Sequence, residues 1–307
     1  MRADALVFPG QGAQSPGMGA ALVAQECSPE LLDIAATAGL DLRRLLVDGG
    51  VEELRPTRVA QPALFYTGVA LLRVLREAGV RAEFAAGHSL GEYCALVAAG
   101  SLSPEAGMEL VLRRAEAMAL APEGTMAAVL GLDAAQLERI CAEVTGAGAV
   151  CVLANDNSPA QQVISGTLAG VQEVGRRARE AGARKVVPLQ VGGAFHSPLM
   201  AEPARRFAAA IAETRIADPE FPVAAGALGR LVSTAADVRR ALEIQLESPV
   251  RWTASVLALG AAGAGRFIEC GPGNTLGALI RRILPDPLVV QVASPAQARE
   301  LGPAAPA

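Results

Sequence analysis

The chain has 307 residues, of which 51% are hydrophobic but only 3% aromatic, with 19% charged residues and a formal net charge of −4. That length suggests about two domains, or one large domain carrying an insert, with a large core of mainly Ala, Leu and Val. The acidic balance argues against a nucleic-acid binder, which needs a basic face, and no apolar run reaches the roughly 18 residues of a membrane span. Five scattered cysteines without a CxxC pair give little support to a disulfide or zinc framework. Met1-Arg2-Ala3-Asp4 enters a strand at once and lacks a signal-peptide layout, so the expectation is a cytoplasmic protein. Nearly all the basic charge is arginine, and Lys185 is the only lysine.

In chain order, Ala5–Phe8 is a short apolar run ended by Pro9-Gly10-Gln11-Gly12-Ala13-Gln14. A strand running into such a loop presents backbone N–H groups to an anion, but no Gly-Lys-Ser/Thr follows to make it a phosphate loop. Residues 18–50 read as broken helices, and Gln61 to Ala78 as a helix with Leu64, Val69, Leu71, Leu72 and Leu75 on its apolar side. Ala82–Ala86 reads as a buried strand that leads into Gly87-His88-Ser89-Leu90-Gly91, and an Ala- and Leu-rich helix follows. Strand, Gly-x-Ser-x-Gly and helix in that order predict a nucleophile elbow with Ser89 at its tip.

Ser103-Pro104-Glu105 is a helix start. In the helix it opens, Met108, Val111, Leu112, Ala115 and Met118 share a face that Arg114 borders, while Arg113 points to the wet side. From about 124 to 190 the order is β-α-β-β-α-β: strands at Thr125–Leu130, Ala149–Ala154, Gln162–Ser165 and Lys185–Gln190, helices at Ala134–Val144 and Leu168–Ala181. This is the order of a ferredoxin-like unit, with Asn155-Asp156-Asn157-Ser158-Pro159 as the tight turn in its middle. The expected division is therefore a discontinuous main domain, 1–123 and 191–307, and a subdomain, 124–190. Beyond the glycine-flanked loop Gly192–Ser197 come a helix at Ala204–Thr214, a strand near Pro222–Ala225 and a helix at Ala235–Leu246. Arg266–Gly273 is a further strand-to-glycine-loop with a helix after Asn274; Leu288–Val292 is a last strand, and residues 302–307 read as a tail.

A serine at its ordinary pKa needs a base within hydrogen-bond reach, and the sequence has two histidines. His88 adjoins Ser89, but neighbouring side chains diverge at an elbow, which leaves His196 as the base. No Asp or Glu stands out as a third member, so a backbone carbonyl or an amide is expected to orient the imidazole. The oxyanion hole would use the N–H of Leu90 and one from the Gly10–Gly12 loop. Arg114 either clamps a substrate carboxylate, favouring an acyl group such as malonyl, or makes a structural salt bridge to Glu116 or another acid.

Phe8–Gln14, Gly87–Tyr93, Gly193–Ser197 and Gln245-Leu246-x-Ser248-Pro249-Val250-x-Trp252 together resemble the malonyl-CoA:acyl-carrier-protein transacylase family. The family includes fatty-acid-synthesis transacylases and discrete polyketide-synthase acyltransferases. The resemblance runs from about residue 5 to 290. It implies an α/β-hydrolase-like main domain with an inserted ferredoxin-like subdomain, and a ping-pong transfer from malonyl-CoA through an acyl-serine to the phosphopantetheine thiol of an acyl carrier protein. By motif, Ser89 is the nucleophile, His196 the base, Arg114 the carboxylate clamp, and Gln11 and Leu90 the oxyanion N–H groups. Gln245, His88 and Phe195 support them. No metal or redox cofactor is implied; coenzyme A enters as a substrate thioester, and neither nucleic acid nor membrane is an expected partner.

Leu90 and Phe195 resemble the malonyl-selective members. Two departures bear on the pocket: Val223-Ala224-Ala225-Gly226-Ala227 stands where the family commonly has an Asn, and the loop between Met118 and Met126 looks shortened. Arginines 176, 177, 179 and 184, or 205 and 206, are candidates to dock an acidic carrier, with a solvated helix face as the plainer reading. The alternatives are transfer of an alkylmalonyl or carrier-bound acyl group in polyketide assembly, a serine thioesterase or hydrolase, and a non-catalytic subunit that only binds a carrier.

Overall fold

The computed structural model of the chain describes residues 3–302. Its strands are β1 (Ala3–Phe8), β2 (Phe84–Gly87), β3 (Thr125–Leu130), β4 (Cys151–Ser158), β5 (Gln161–Gly166), β6 (Lys185–Pro188), β7 (Val223–Ala225), β8 (Arg230–Val232), β9 (Ala264–Cys270) and β10 (Leu288–Val292). Six form the main sheet in the order β10-β9-β1-β2-β7-β8, parallel except where β8 returns antiparallel to β7. β1 lies inside the sheet, and its Ala5–Phe8 run is buried throughout, as a parallel strand covered on both faces requires. From β1 the chain builds outward through β2 and β7, then returns to the other side of β1 as β9 and β10. The crevice at the carboxyl ends of strands beside such a reversal is where open α/β sheets bind their ligands.

The second sheet is antiparallel, in the order β4-β5-β3-β6. With the helices Ala134–Gly146 and Leu168–Glu180 this is the ferredoxin-like arrangement. Side chains alternate along β3: Ala127 and Val129 pack with Leu137, Val144, Val171 and Val174 beneath the helices, while Met126 turns to the main core. The α/β-hydrolase-like main domain and its ferredoxin-like subdomain are thus both present.

Several elements differ from the sequence reading. The helix expected from Gln61 begins at Thr57 and runs to Glu77 with Pro62 inside it. Its first turn is closed without Pro62, because the N–H groups of Val59 and Ala60 both donate to Pro56 O. Residues 155–158 are not a turn but the second half of β4, and the reversal is confined to Pro159-Ala160. Asn and Asp favour turns locally, but here the strand is held by pairing. Asp156 N donates to Val250 O at 2.9 Å and Val250 N to Ala154 O at 2.8 Å, a parallel bridge to the main domain. The hairpin strand β8 and the helices Trp252–Ala261 and Pro295–Glu300 were not expected. The tail expected from 302 lies, from 303 onward, outside the described residues.

The arginine clusters considered for carrier docking are largely neutralised. Arg176 pairs with Glu173 and Glu180, and Arg177 with Glu173 and Glu143. Arg205 and Arg206 both pair with Glu202. Arg179 and Arg184 of the first cluster have no carboxylate within 4.0 Å among the described residues.

Candidate active site

Ser89 sits between the end of β2 and the helix Gly91–Ala98, with a φ of +51°. A non-glycine residue there is strained, and two flanking glycines make the strain possible. A Cβ on Gly87 would lie 1.9 Å from Gly91 C, and one on Gly91 would lie 2.0 Å from Phe8 O. The elbow is thus pressed onto the end of β1, and His88 N donates to Phe8 O at 3.0 Å.

His196 reaches Ser89 from the loop after β6, with Nε2 2.8 Å from Ser89 Oγ. It too has a positive φ, +58°, in a turn pinned by Ser197, whose hydroxyl donates to Ala194 O at 2.6 Å. Its Nδ1 lies 2.9 Å from Gln245 O and 3.1 Å from Ser248 O. Two carbonyls only accept, so Nδ1 carries the proton and Nε2 faces the serine as a base. Burial, and next the Arg114 charge, push the imidazole pKa down to about 3, which keeps it neutral near pH 7.

The N–H groups of Leu90 and Gln11 donate to no protein acceptor among the described residues, and both residues border the cleft that contains Ser89. The Gln11 loop is set close against the elbow: a Cβ on Gly10 would lie 2.4 Å from His88 O. The Gln11 side chain is occupied elsewhere, accepting from Thr57 Oγ1 at 2.7 Å.

Arg114 is 1% exposed and has no carboxylate within 4.0 Å among the described residues. Its Nη2 donates to Ser89 Oγ at 3.0 Å, its Nη1 to Gln61 Oε1 at 2.6 Å and its Nε to Gln245 Oε1 at 3.2 Å. The Tyr93 ring lies beneath it, 5.5 Å from Cζ. The alternative of a structural salt bridge to Glu116 is not realised: Glu116 is exposed, while Arg113 on the wet face pairs with Glu213. A guanidinium carries five N–H donors and only three are assigned here. Buried cations call for an anionic partner.

The cleft has a volume of about 280 Å³. Ser89, His196 and Arg114 line it together with Met118 and Phe195 and with Met126, Ala128 and Val163 of the subdomain. His88 turns away from the Ser89 hydroxyl, placing Nε2 2.8 Å from Asn157 Oδ1 and its ring against Trp252. Gln61, Glu92 and Asn157 were missed by sequence reasoning. Gln61 and Glu92 had a visible signal, a polar residue in an otherwise apolar helical stretch. Asn157 was hidden by its turn-like neighbours.

A strained serine at the carboxyl end of a parallel strand, an adjacent neutral imidazole and two free N–H groups define a serine acyl-transfer enzyme. The comparisons narrow this. The acyl transferase domain family model matches residues 5–301, and the chain belongs to that family. It is 42% identical over 284 residues to the malonyl CoA-acyl carrier protein transacylase of Bacillus subtilis, covering 91% of this chain and 90% of that one. Among solved structures, an acyl-carrier-protein S-malonyltransferase from Burkholderia pseudomallei superposes with a TM-score of 0.91 at 38% identity, covering 97% of this chain and 98% of that one. A malonyl-transacylase solved in complex with its type II PKS acyl-carrier protein superposes with a TM-score of 0.89 at 37% identity, covering 96% and 97%.

Proposed function

We propose that the protein transfers a malonyl group from malonyl-CoA to the phosphopantetheine thiol of an acyl carrier protein. The observation that carries this reading is Arg114, a buried cation without an acidic partner that donates to the nucleophile itself. Ser89 Oγ attacks the thioester carbonyl as His196 Nε2 takes its proton. The N–H groups of Gln11 and Leu90 receive the oxyanion. Collapse expels the coenzyme A sulfur, protonated from His196, and leaves a malonyl ester on Ser89. The carrier thiol then attacks that ester while His196 takes its proton, and the proton returns to Ser89 Oγ as the thioester forms. The unassigned N–H donors of Arg114 hold the malonyl carboxylate in both halves.

In this reading Gln245 steadies the histidine and the arginine, His88 braces the elbow against Asn157, and Phe195 limits the acyl pocket. A subdomain of residues 124–190 roofs a catalytic domain made of the flanking segments. The chemistry calls for no metal or redox cofactor. A cytoplasmic location fits the five unpaired, buried cysteines, and no helix among the described residues is long and apolar enough to cross a membrane.

The test is intact-mass measurement after incubation with malonyl-, methylmalonyl- and acetyl-CoA together, followed by addition of a holo carrier protein. A malonyl adduct absent from Ser89→Ala and discharged to the carrier supports the reading. Discharge to water alone makes the protein a hydrolase, and an adduct of another acyl group overturns the specificity.

A further inference from the structure

Glu92 is 2% exposed in a helix whose other residues are all apolar or small. Burying a carboxylate is costly unless it is hydrogen-bonded or paired. Its Oε2 accepts from Gln245 Nε2 at 2.9 Å and from Gly226 N at 3.2 Å.

The Gln245 amide lies between two groups of fixed polarity. Arg114 can only donate, so it faces Oε1; a carboxylate accepts, so Glu92 faces Nε2. The other N–H of Gln245 goes to Ser89 O at 3.3 Å. With Glu92 in place the amide has one satisfied orientation, and that orientation gives Arg114 Nε its acceptor. Without it, the amide keeps only the longer contact to Ser89 O on its Nε2 side, and the guanidinium depends on Gln61 and Ser89 Oγ to hold its place. Gln245 also holds His196 through its main-chain carbonyl, so one residue carries both links.

We propose that Glu92 is the positioning residue for the carboxylate clamp, acting through Gln245 to fix the Arg114 guanidinium. The inference rests on the reading of Arg114 as the clamp.

The experiment measures the rate of Ser89 acylation from malonyl-CoA and from acetyl-CoA in the purified full-length chain and takes the ratio. Glu92→Ala should lower the malonyl-over-acetyl ratio about tenfold or more, the effect of losing one buried charge-assisted contact. Glu92→Gln keeps an acceptor toward Gln245 and should recover most of the preference. A merely structural Glu92 would slow both donors equally, and an unchanged ratio in Glu92→Ala overturns the proposal. If that variant does not fold, Glu92→Asp replaces it. Its shorter arm cannot reach both Gln245 and Gly226, so a wild-type ratio there is equally fatal. Arg114→Ala separates the two layers. A preserved ratio in that variant removes the clamp reading, whereas a lost ratio in Arg114→Ala beside a wild-type ratio in Glu92→Ala removes only the role of Glu92.

Discussion

Arg114 Nη2 and His196 Nε2 converge on one atom: Ser89 Oγ lies 3.0 Å from the first and 2.8 Å from the second. The hydroxyl donates to the imidazole and accepts from the guanidinium. Both contacts favour negative charge on the oxygen as the proton leaves, and both fix its direction. When a malonyl carboxylate arrives, Nη2 has a stronger acceptor than a neutral hydroxyl.

Removing His196, the base of the proposed mechanism, should be severe. His196→Ala is expected to lower the acylation rate by about 10³-fold or more, since the serine loses its proton acceptor while the oxyanion donors remain. Single-turnover acylation followed by mass spectrometry measures this, and thermal melting checks that the fold persists.

Arg114→Ala should separate donors. Malonyl transfer is expected to fall by about 10²-fold or more with loss of the bidentate contact, and acetyl transfer far less. Competition between the two coenzyme A thioesters reads the ratio directly.

The pH dependence of stability should reflect two buried groups that pull in opposite directions. Burial holds the His196 pKa at about 3 against an ordinary 6.5, so the unfolded chain binds the extra proton first and stability falls as pH drops from 6.5 toward 3. Burial raises Glu92 from 4.5 to about 7, against the lowering pull of Gln245, Gly226 N and Arg114. The folded chain keeps that proton longer, so stability falls as pH rises from 4.5 through 7. Tyr93 also faces this network and stays neutral, its pKa raised by burial. Glu92→Gln should therefore gain melting temperature relative to wild type at pH 8 compared with pH 5. Parallel melting curves of the two proteins across that range would show the titration to be absent.

Gly91→Ala tests the elbow. Its Cβ would meet Phe8 O at 2.0 Å, a backbone atom with no room to move. A loss of about 3 kcal/mol or more, or failure to fold, is expected from denaturant unfolding.

Much of this architecture was legible because it is local. The Gly87–Gly91 pattern needs only its own glycines, and the β3 strand Thr125–Leu130 is a short apolar run that its own residues mark out. Arg114 could be told from Arg113 by helical phase alone. What escaped depends on partners far along the chain. Asn157 reads as a turn residue until β4 pairs with Val250, and only then does its amide meet His88, 69 positions away. Glu92 is plainly out of place in an apolar helix, but its reason stands at Gln245 and Gly226, 153 and 134 positions on. For the arginine clusters, glutamates at helical spacing pair with Arg176, Arg177, Arg205 and Arg206, which favours the plainer reading of a solvated face at those four positions.

The bridge between β4 and Val250 also has a mechanical meaning. The chain passes from the catalytic body into β3 and back out of β6 at one side of the subdomain sheet, and at its other edge Asp156 and Ala154 of β4 clasp Val250 of the body. A roof hinged along one edge would swing freely; one clasped on both flanks cannot lift without breaking main-chain hydrogen bonds. Val250 stands two residues beyond Ser248, whose carbonyl accepts from His196 Nδ1, so the clasp and the histidine's support share one short stretch of chain. The side of the cleft that the subdomain supplies is therefore fixed to the body by backbone hydrogen bonds as well as by the chain itself.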